Sequence, residues 1–282
     1  IHGGIDGLAN IDLDNTGVGP AVSGTVSKTS IDGFGMAGSV VYDNVKNLSL
    51  HLGGAADQVT VLSTSAATTT TIDLGGGDDS VTVSGADATL NNIDGLLNLL
   101  GGSGTNALRV DDSGDTVANA GMAGGSNGNQ IFGFGMGSAD QTEVSQAAGV
   151  SYGNFATVAL KLGSGGDSVR IAATSTDTTI EGGIGADTIT LGSDTAALGL
   201  SQIRGHVLVK GGGNAGDQFV VSTAPAVHLQ LDTSSATRGL LTATEMPKSV
   251  EFEGVAAAIL NLGDAADSFT ILGTVVPVTF NT

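Results

Sequence analysis

The sequence predicts an all-β chain, wound as a parallel β-solenoid (β-helix) of stacked coils of roughly 20–30 residues. Three observations predict it. The 282 residues include 46 Gly but only 4 Pro, and the negative charge is carried by 23 Asp against 5 Glu. Asp caps turns and tolerates left-handed backbone, whereas Glu favours helix, so this skew describes a chain of turns. Gly-rich letters followed by Asp and then an alternating apolar strand recur along the whole length. A larger unit of about 100 residues repeats as well.

The repeat is read most directly from Leu48–Val61, which returns as Val158–Ile171 and again as Ala258–Ile271, at offsets of 110 and 100. Gly33-Phe-Gly-Met36 returns as Gly133-Phe-Gly-Met136, and Tyr42, Tyr152 and Phe252 form another equivalent set. The unequal offsets have one cause, a polar insertion at Gly137–Gly149 that reads as a surface loop. The chain is therefore expected to be one continuous solenoid over 1–282. Its phases are 1–98, 99–207 and an incomplete 208–282, and it reads as an excerpt of a longer array.

Within each phase the Gly–Asp turn opens a strand. Examples are Leu52–Val61, Leu74–Val83, Leu100–Val110, Leu162–Ile171, Glu181–Leu191, Val209–Val221 and Leu262–Ile271. Val59-Thr-Val61 and Thr188-Ile-Thr-Leu191 alternate apolar and polar, the period of a half-buried strand. One coil is too thin to bury its own inward face, so stacking must create the core. Leu50, Leu52, Val59, Val61, Leu160, Leu162, Val169, Ile171, Leu260, Leu262, Phe269 and Ile271 are the expected members of it. Helix signals are weak, the best being Leu90–Leu100, which Gly95 interrupts.

Composition excludes several functions. A net charge of −19 with 9 Lys and Arg repels phosphates, so nucleic acid is no expected partner. Without Cys there is neither a disulfide framework nor a thiolate metal site. The longest apolar run, Val255–Leu260, is too short to insert as a membrane helix. The nine basic residues stand at non-equivalent repeat positions, unlike the clustered Asp, Arg and Lys of polysaccharide-cleaving β-helices. Acid pairs such as Asp78/Asp79 are adjacent in turns. No enzyme is expected.

Gly182-Gly-Ile-Gly-Ala-Asp-Thr-Ile-Thr resembles the GGxGxDxUx nonapeptide of the RTX calcium-binding repeats. The unit of about 100 residues resembles the tandem Gly/Asp-rich repeats of very large bacterial surface and secreted proteins. It does so through Asp111–Gly121, Gly33–Met36 and Tyr152–Val169. The resemblance implies an extracellular or cell-surface structural element, such as a filament, stalk, sheath, surface layer or adhesin. Its partners would be copies of itself or neighbouring repeats. It also implies structural Ca²⁺ at the turn acids Asp57, Asp78, Asp79, Asp167, Asp187, Asp217 and Asp267. In a calcium-binding adhesion module, Asp187 with Asp167 and Asp79 with Asp57 would be the leading pairs. Stacking at strand spacing brings such pairs together, where a cation would relieve their repulsion. In the alternative role each Asp caps its own turn through backbone N–H groups. Single copies per coil, Asn106 in place of Asp, and Ala in Gly53–Asp57 and Gly263–Asp267 depart from the RTX pattern.

Overall fold

A computed structural model describes residues 1–4, 9–125, 128–137, 148–192, 199–263 and 265–281. The chain divides into two compact units, Ile1–Asp112 with Phe132–Val158, and Ser113–Ile131 with Ala159–Thr282. Each is all-β, with two mostly parallel sheets, and no α-helix occurs among the described residues.

In the first unit one sheet runs, side by side, through Ala9–Asp14, Val45–His51, Thr69–Asp73, Leu96–Leu100 and Gly149–Gly153, all parallel. The other runs through Ala107–Asp111, Ser80–Val83, Gln58–Val61 and Ser23–Val26, then turns antiparallel through Ser30–Gly33 and Val40–Val41. The register stacks like on like. Leu50, Ile72, Leu99 and Tyr152 form one inward column, and Val26, Val61, Val83 and Val110 another. All eight are buried. Fully burying such a side chain is worth about 1.5–3 kcal/mol, so the columns hold the strands that carry them.

The second unit repeats this scheme. Ala120–Ala123, Ser168–Ile171, Thr188–Leu191, Gln218–Thr223, Ala257–Leu262 and Val278–Asn281 form one sheet. Asp177–Glu181, Val207–Lys210, Val250–Glu253, Arg238–Ala243, His228–Ser235 and Ser268–Ile271 form the other, with Arg238–Ala243 antiparallel to both its neighbours. Phe219 and Phe252 stack at 4.9 Å between the ring centroids.

The Gly-Phe-Gly-Met word at Gly33–Met36 makes the corner after the antiparallel strand Ser30–Gly33. Gly33, Phe34 and Gly35 all have positive φ, and Gly133, Phe134 and Gly135 repeat the conformation almost to the degree. A Phe at positive φ is uncommon; burial of the ring holds it there. The ring lies where a Cβ on Gly24 would stand, 2.4 Å from Phe34 Cε2, so Gly24 has to lack one.

Two expectations need adjustment. Of the proposed core, Phe269 is only partly buried and Ile271 is exposed. Ser268–Ile271 is the outermost strand of its sheet, and no described strand covers its far side. Leu90–Leu100 is not helical. Residues 90–95 turn and Leu96–Leu100 is a strand with Leu97 and Leu99 inward. Gly95 sits against the Ser65 carbonyl, 2.1 Å from where a Cβ would be. The insertion expected at Gly137–Gly149 falls largely on 138–147 and lies outside the described residues.

Candidate functional site

The turn acids form two ladders, one in each unit. In the first, the N–H of Val22 donates to Asp57 Oδ1 at 2.8 Å. The N–H of Asp57 donates to Asp79 Oδ1 at 2.7 Å, and that of Asp79 to Asn106 Oδ1 at 2.9 Å. In the second unit Asn119 N–H donates to Asp167 Oδ1 at 2.8 Å. Asp167 N–H then donates to Asp187 Oδ1 at 2.8 Å, and Asp187 N–H to Asp217 Oδ1 at 3.1 Å. One further bond of this kind joins the N–H of Val227 to Asp267 Oδ1 at 2.9 Å.

Each step is double. The carbonyl of the residue whose N–H enters the carboxylate accepts the N–H of the first strand residue beyond the next turn. Asp57 O accepts from Ser80, Asp79 O from Ala107, Asp167 O from Thr188 and Asp187 O from Gln218. Side chain and backbone thus lock successive turns in register. Asp here caps the neighbouring turn, a cross-turn version of the side-chain-to-backbone bonds this residue favours.

Asp57, Asp79, Asp167, Asp187 and Asp217 are almost wholly buried, and Asp267 is partly buried. Asp78 stands apart: it is exposed, and its Oδ1 accepts the Thr105 N–H at 2.7 Å. The structure therefore brings Asp57 to Asp79, and Asp167 to Asp187 and Asp217, while Asp78 remains at the rim. Asn106, Asn119 and Val22 belong to the ladders without having been singled out as acids. The repeat offset does not locate them: Val22 and Asn119 are 97 residues apart, whereas the acids they bond, Asp57 and Asp167, are 110 apart. A second tie was missed. Buried Thr64 bonds both backbone groups of Gly95, at 3.0 and 2.9 Å, and Thr174 does the same with Gly205, at 3.3 and 3.1 Å.

The second oxygen of each acid is the unusual feature. Oδ2 of Asp57, Asp79, Asp167 and Asp187 is buried with no hydrogen-bond partner, which is costly for any polar atom and more so for a charged one. Asp217 solves the same problem within its turn, its Oδ2 accepting the Asn214 N–H at 2.7 Å. Burial pushes the carboxyls of Asp79 and Asp167 upward and that of Asp187 up to about 6, against the lowering effect of the backbone bonds. Neighbouring carboxyls add to the rise.

Asn106 reveals what surrounds that second atom. Its Nδ2 occupies the place of an acid's Oδ2 and donates to Gly101 O at 2.6 Å and Asn154 O at 3.1 Å. The pocket under the turn is lined by carbonyls at hydrogen-bond distance. It is shaped for a donor. Ca²⁺ requires six to eight oxygens arranged around its own centre at about 2.3–2.6 Å. Here one oxygen of each rung is already spent on an N–H. Among the described residues no group of three or more His, Asp or Glu side chains is placed to hold a metal ion. The ladder atoms fit a hydrogen-bonded clamp.

Elsewhere the surface has an open groove lined by Lys210, Gly212, Gly213, Thr237, Glu253 and Gly254. Arg238 there is held by Glu251 at 2.9 Å and Glu253 at 2.8 Å. No helix among the described residues is long and apolar enough to cross a membrane, which leaves membrane-crossing strands unaddressed. No protein family, curated protein or solved structure matches the chain.

Proposed function

We propose that the chain is a structural segment of a parallel β-solenoid in a large bacterial extracellular protein, acting as a filament, stalk, sheath or surface-layer element. It assembles with copies of itself or with neighbouring repeats. The observation that supports this reading is the ladder. The distinctive polar side chains of each repeat are spent on holding one turn against the next, and they do so at equivalent positions in all three phases. Such a chain gains length and stiffness by repetition, each repeat relying on its neighbours to cover its faces.

The surface that would take a further copy is the outer edge made by Ser268–Ile271 and Val278–Asn281. There Ile271, Leu272 and Phe280 are exposed. Unpaired strand edges with apolar side chains promote pairing with another chain. Sedimentation velocity over a wide concentration range tests this. The expected result is association that rises with concentration and is abolished in the double variant Ile271→Asp, Phe280→Asp, which retains the native circular dichroism spectrum. A wild-type chain that stays monomeric throughout, indistinguishable from the variant, overturns it.

A further inference from the structure

The unpaired oxygens lie in a row, and the amide at the end of the first ladder shows what their surroundings accept. Asn106 and Asp187 use the same local geometry. The terminal side-chain atom folds back beneath the residue five positions earlier, Gly101 in one case and Gly182 in the other. A Cβ on Gly101 would lie 2.8 Å from Asn106 Nδ2 and 2.2 Å from Asn154 O. A Cβ on Gly182 would lie 2.6 Å from Asp187 Oδ2 and 2.7 Å from Gly211 O. Asn154 and Gly211 correspond, each being the first residue beyond the strand paired to its glycine. Gly101 N–H bonds Gly153 O, and Gly182 N–H bonds Lys210 O, both at 2.8 Å. Where Asn106 places an N–H among carbonyls, Asp187 places an oxygen. An ionised oxygen is repelled there, while a protonated one supplies the missing donor.

We infer that Asp79, Asp167 and Asp187 serve as carboxylic acids, each carrying a proton on Oδ2, so that the ladder is a proton-loaded clamp that tightens in mild acid and loosens as the acids ionise. The chemistry is a simple protonation: one H⁺ from solvent per rung forms an O–H that donates to a turn carbonyl, while Oδ1 keeps its N–H. The charged groups acting on these rungs are themselves acidic. Asp79 faces Asp57 and Asp78, Asp167 faces Asp115, and Asp187 faces Asp167 and Asp217. A row of like charges in low dielectric cannot all ionise cheaply, which favours neutralisation of the most enclosed members. The folded carboxyls release their protons at higher pH than unfolded ones, whose ordinary value is about 3.9. Their stabilising contribution is therefore complete below that value and is lost as pH rises, for Asp187 through about 6. This is the reverse of an ion-paired acid.

Thermal unfolding with EDTA at about pH 5 and about pH 8 tests the inference, with infrared spectra in D₂O as a second readout. The wild type is expected to melt several degrees higher in acid. Asp187→Asn, Asp79→Asn and Asp167→Asn supply the donor permanently. Each is expected to raise the alkaline midpoint and flatten the pH dependence. Asp87→Asn removes an exposed charge that does not act on the rungs and leaves that dependence in place, which separates the ladder from the general relief of a −19 charge. A carboxylic-acid carbonyl band is expected at about pH 5 in the wild type and weakened in Asp187→Asn. Absence of that band overturns the inference, as do Asn variants that lower the alkaline midpoint. A calcium-induced rise in midpoint that Asp187→Asn abolishes would assign the same oxygens to a cation, and also overturns it.

Discussion

The backbone N–H of Asp167 donates to the carboxylate of Asp187 at 2.8 Å, and Asp57 makes the same bond to Asp79 at 2.7 Å. Residues 20 and 22 apart in sequence thus stand one turn apart in space, and the side chain of one satisfies the backbone of the other. Buried turns leave N–H groups that no strand can reach, and such groups need partners. The acid that recurs once per turn is the chain's answer.

Asn106 ends the first ladder and is its most exacting member, since it accepts from Asp79 and donates to Gly101 and Asn154. Asn106→Ala removes three bonds and leaves a buried N–H and two carbonyls without partners. It should destabilise the chain by about 2–4 kcal/mol, read from urea unfolding. Asn106→Asp keeps the shape and exchanges the donor for an acceptor. Its loss should be large at pH 8 and much smaller at pH 4. An equal loss at both would mean that the carbonyls do not require a donor.

Much of this was legible in the sequence, because a repeat writes its periodicity plainly. The offsets of 110 and 100 located equivalent strands, and alternation gave the inward residues Val59, Val61, Val169 and Ile171, all buried. The proximity of Asp57 to Asp79 and of Asp167 to Asp187 followed from turn length alone. What the acids do there did not follow. Whether a turn carboxylate meets N–H groups or carbonyls depends on peptide orientations that one-letter patterns do not carry. Asn106 looked like a lost ligand, and in the structure it is the rung whose bonds are complete. Phe269 and Ile271 had the right pattern, but burial requires a neighbour on the far side, which local alternation cannot report.

The Gly-rich half of the turn has its own requirement. Gly102 has φ +68, and a Cβ there would lie 1.8 Å from the Gly75 carbonyl of the adjacent turn. Gly102→Ala therefore meets both backbone strain and a rigid backbone contact, and should cost about 2–4 kcal/mol or prevent stacking of that turn. Gly54, in the same class of turn, has open space around it and no positive φ. Gly54→Ala should change stability by no more than about 0.5 kcal/mol. Comparing the two melting curves checks whether the glycines serve approach between turns or only flexibility. Equal effects would reject the close-approach account.

The two tyrosines report on the first unit from the alkaline side. Tyr42 and Tyr152 are the only Tyr in the chain, there is no Trp, and both lie in the first unit. The Tyr42 hydroxyl donates to the Ser27 carbonyl, and burial pushes its ionisation up to about 12; burial pushes Tyr152 up further. An unfolded tyrosine ionises near 10, so the folded state favours the neutral phenol over the interval between. The stabilisation is present below pH 10 and lost as pH rises through about 12. A shift of that size corresponds to about 2–3 kcal/mol for Tyr42. Phenolate absorbance should therefore appear late and together with loss of β-sheet circular dichroism, because ionisation and opening of the first unit are linked. Tyr42→Phe keeps the ring and removes the ionising group, and it should shift the alkaline unfolding of that unit to higher pH. Phenolate absorbance that rises at pH 10 with the sheet signal intact would show that the two rings are open to solvent in the folded chain.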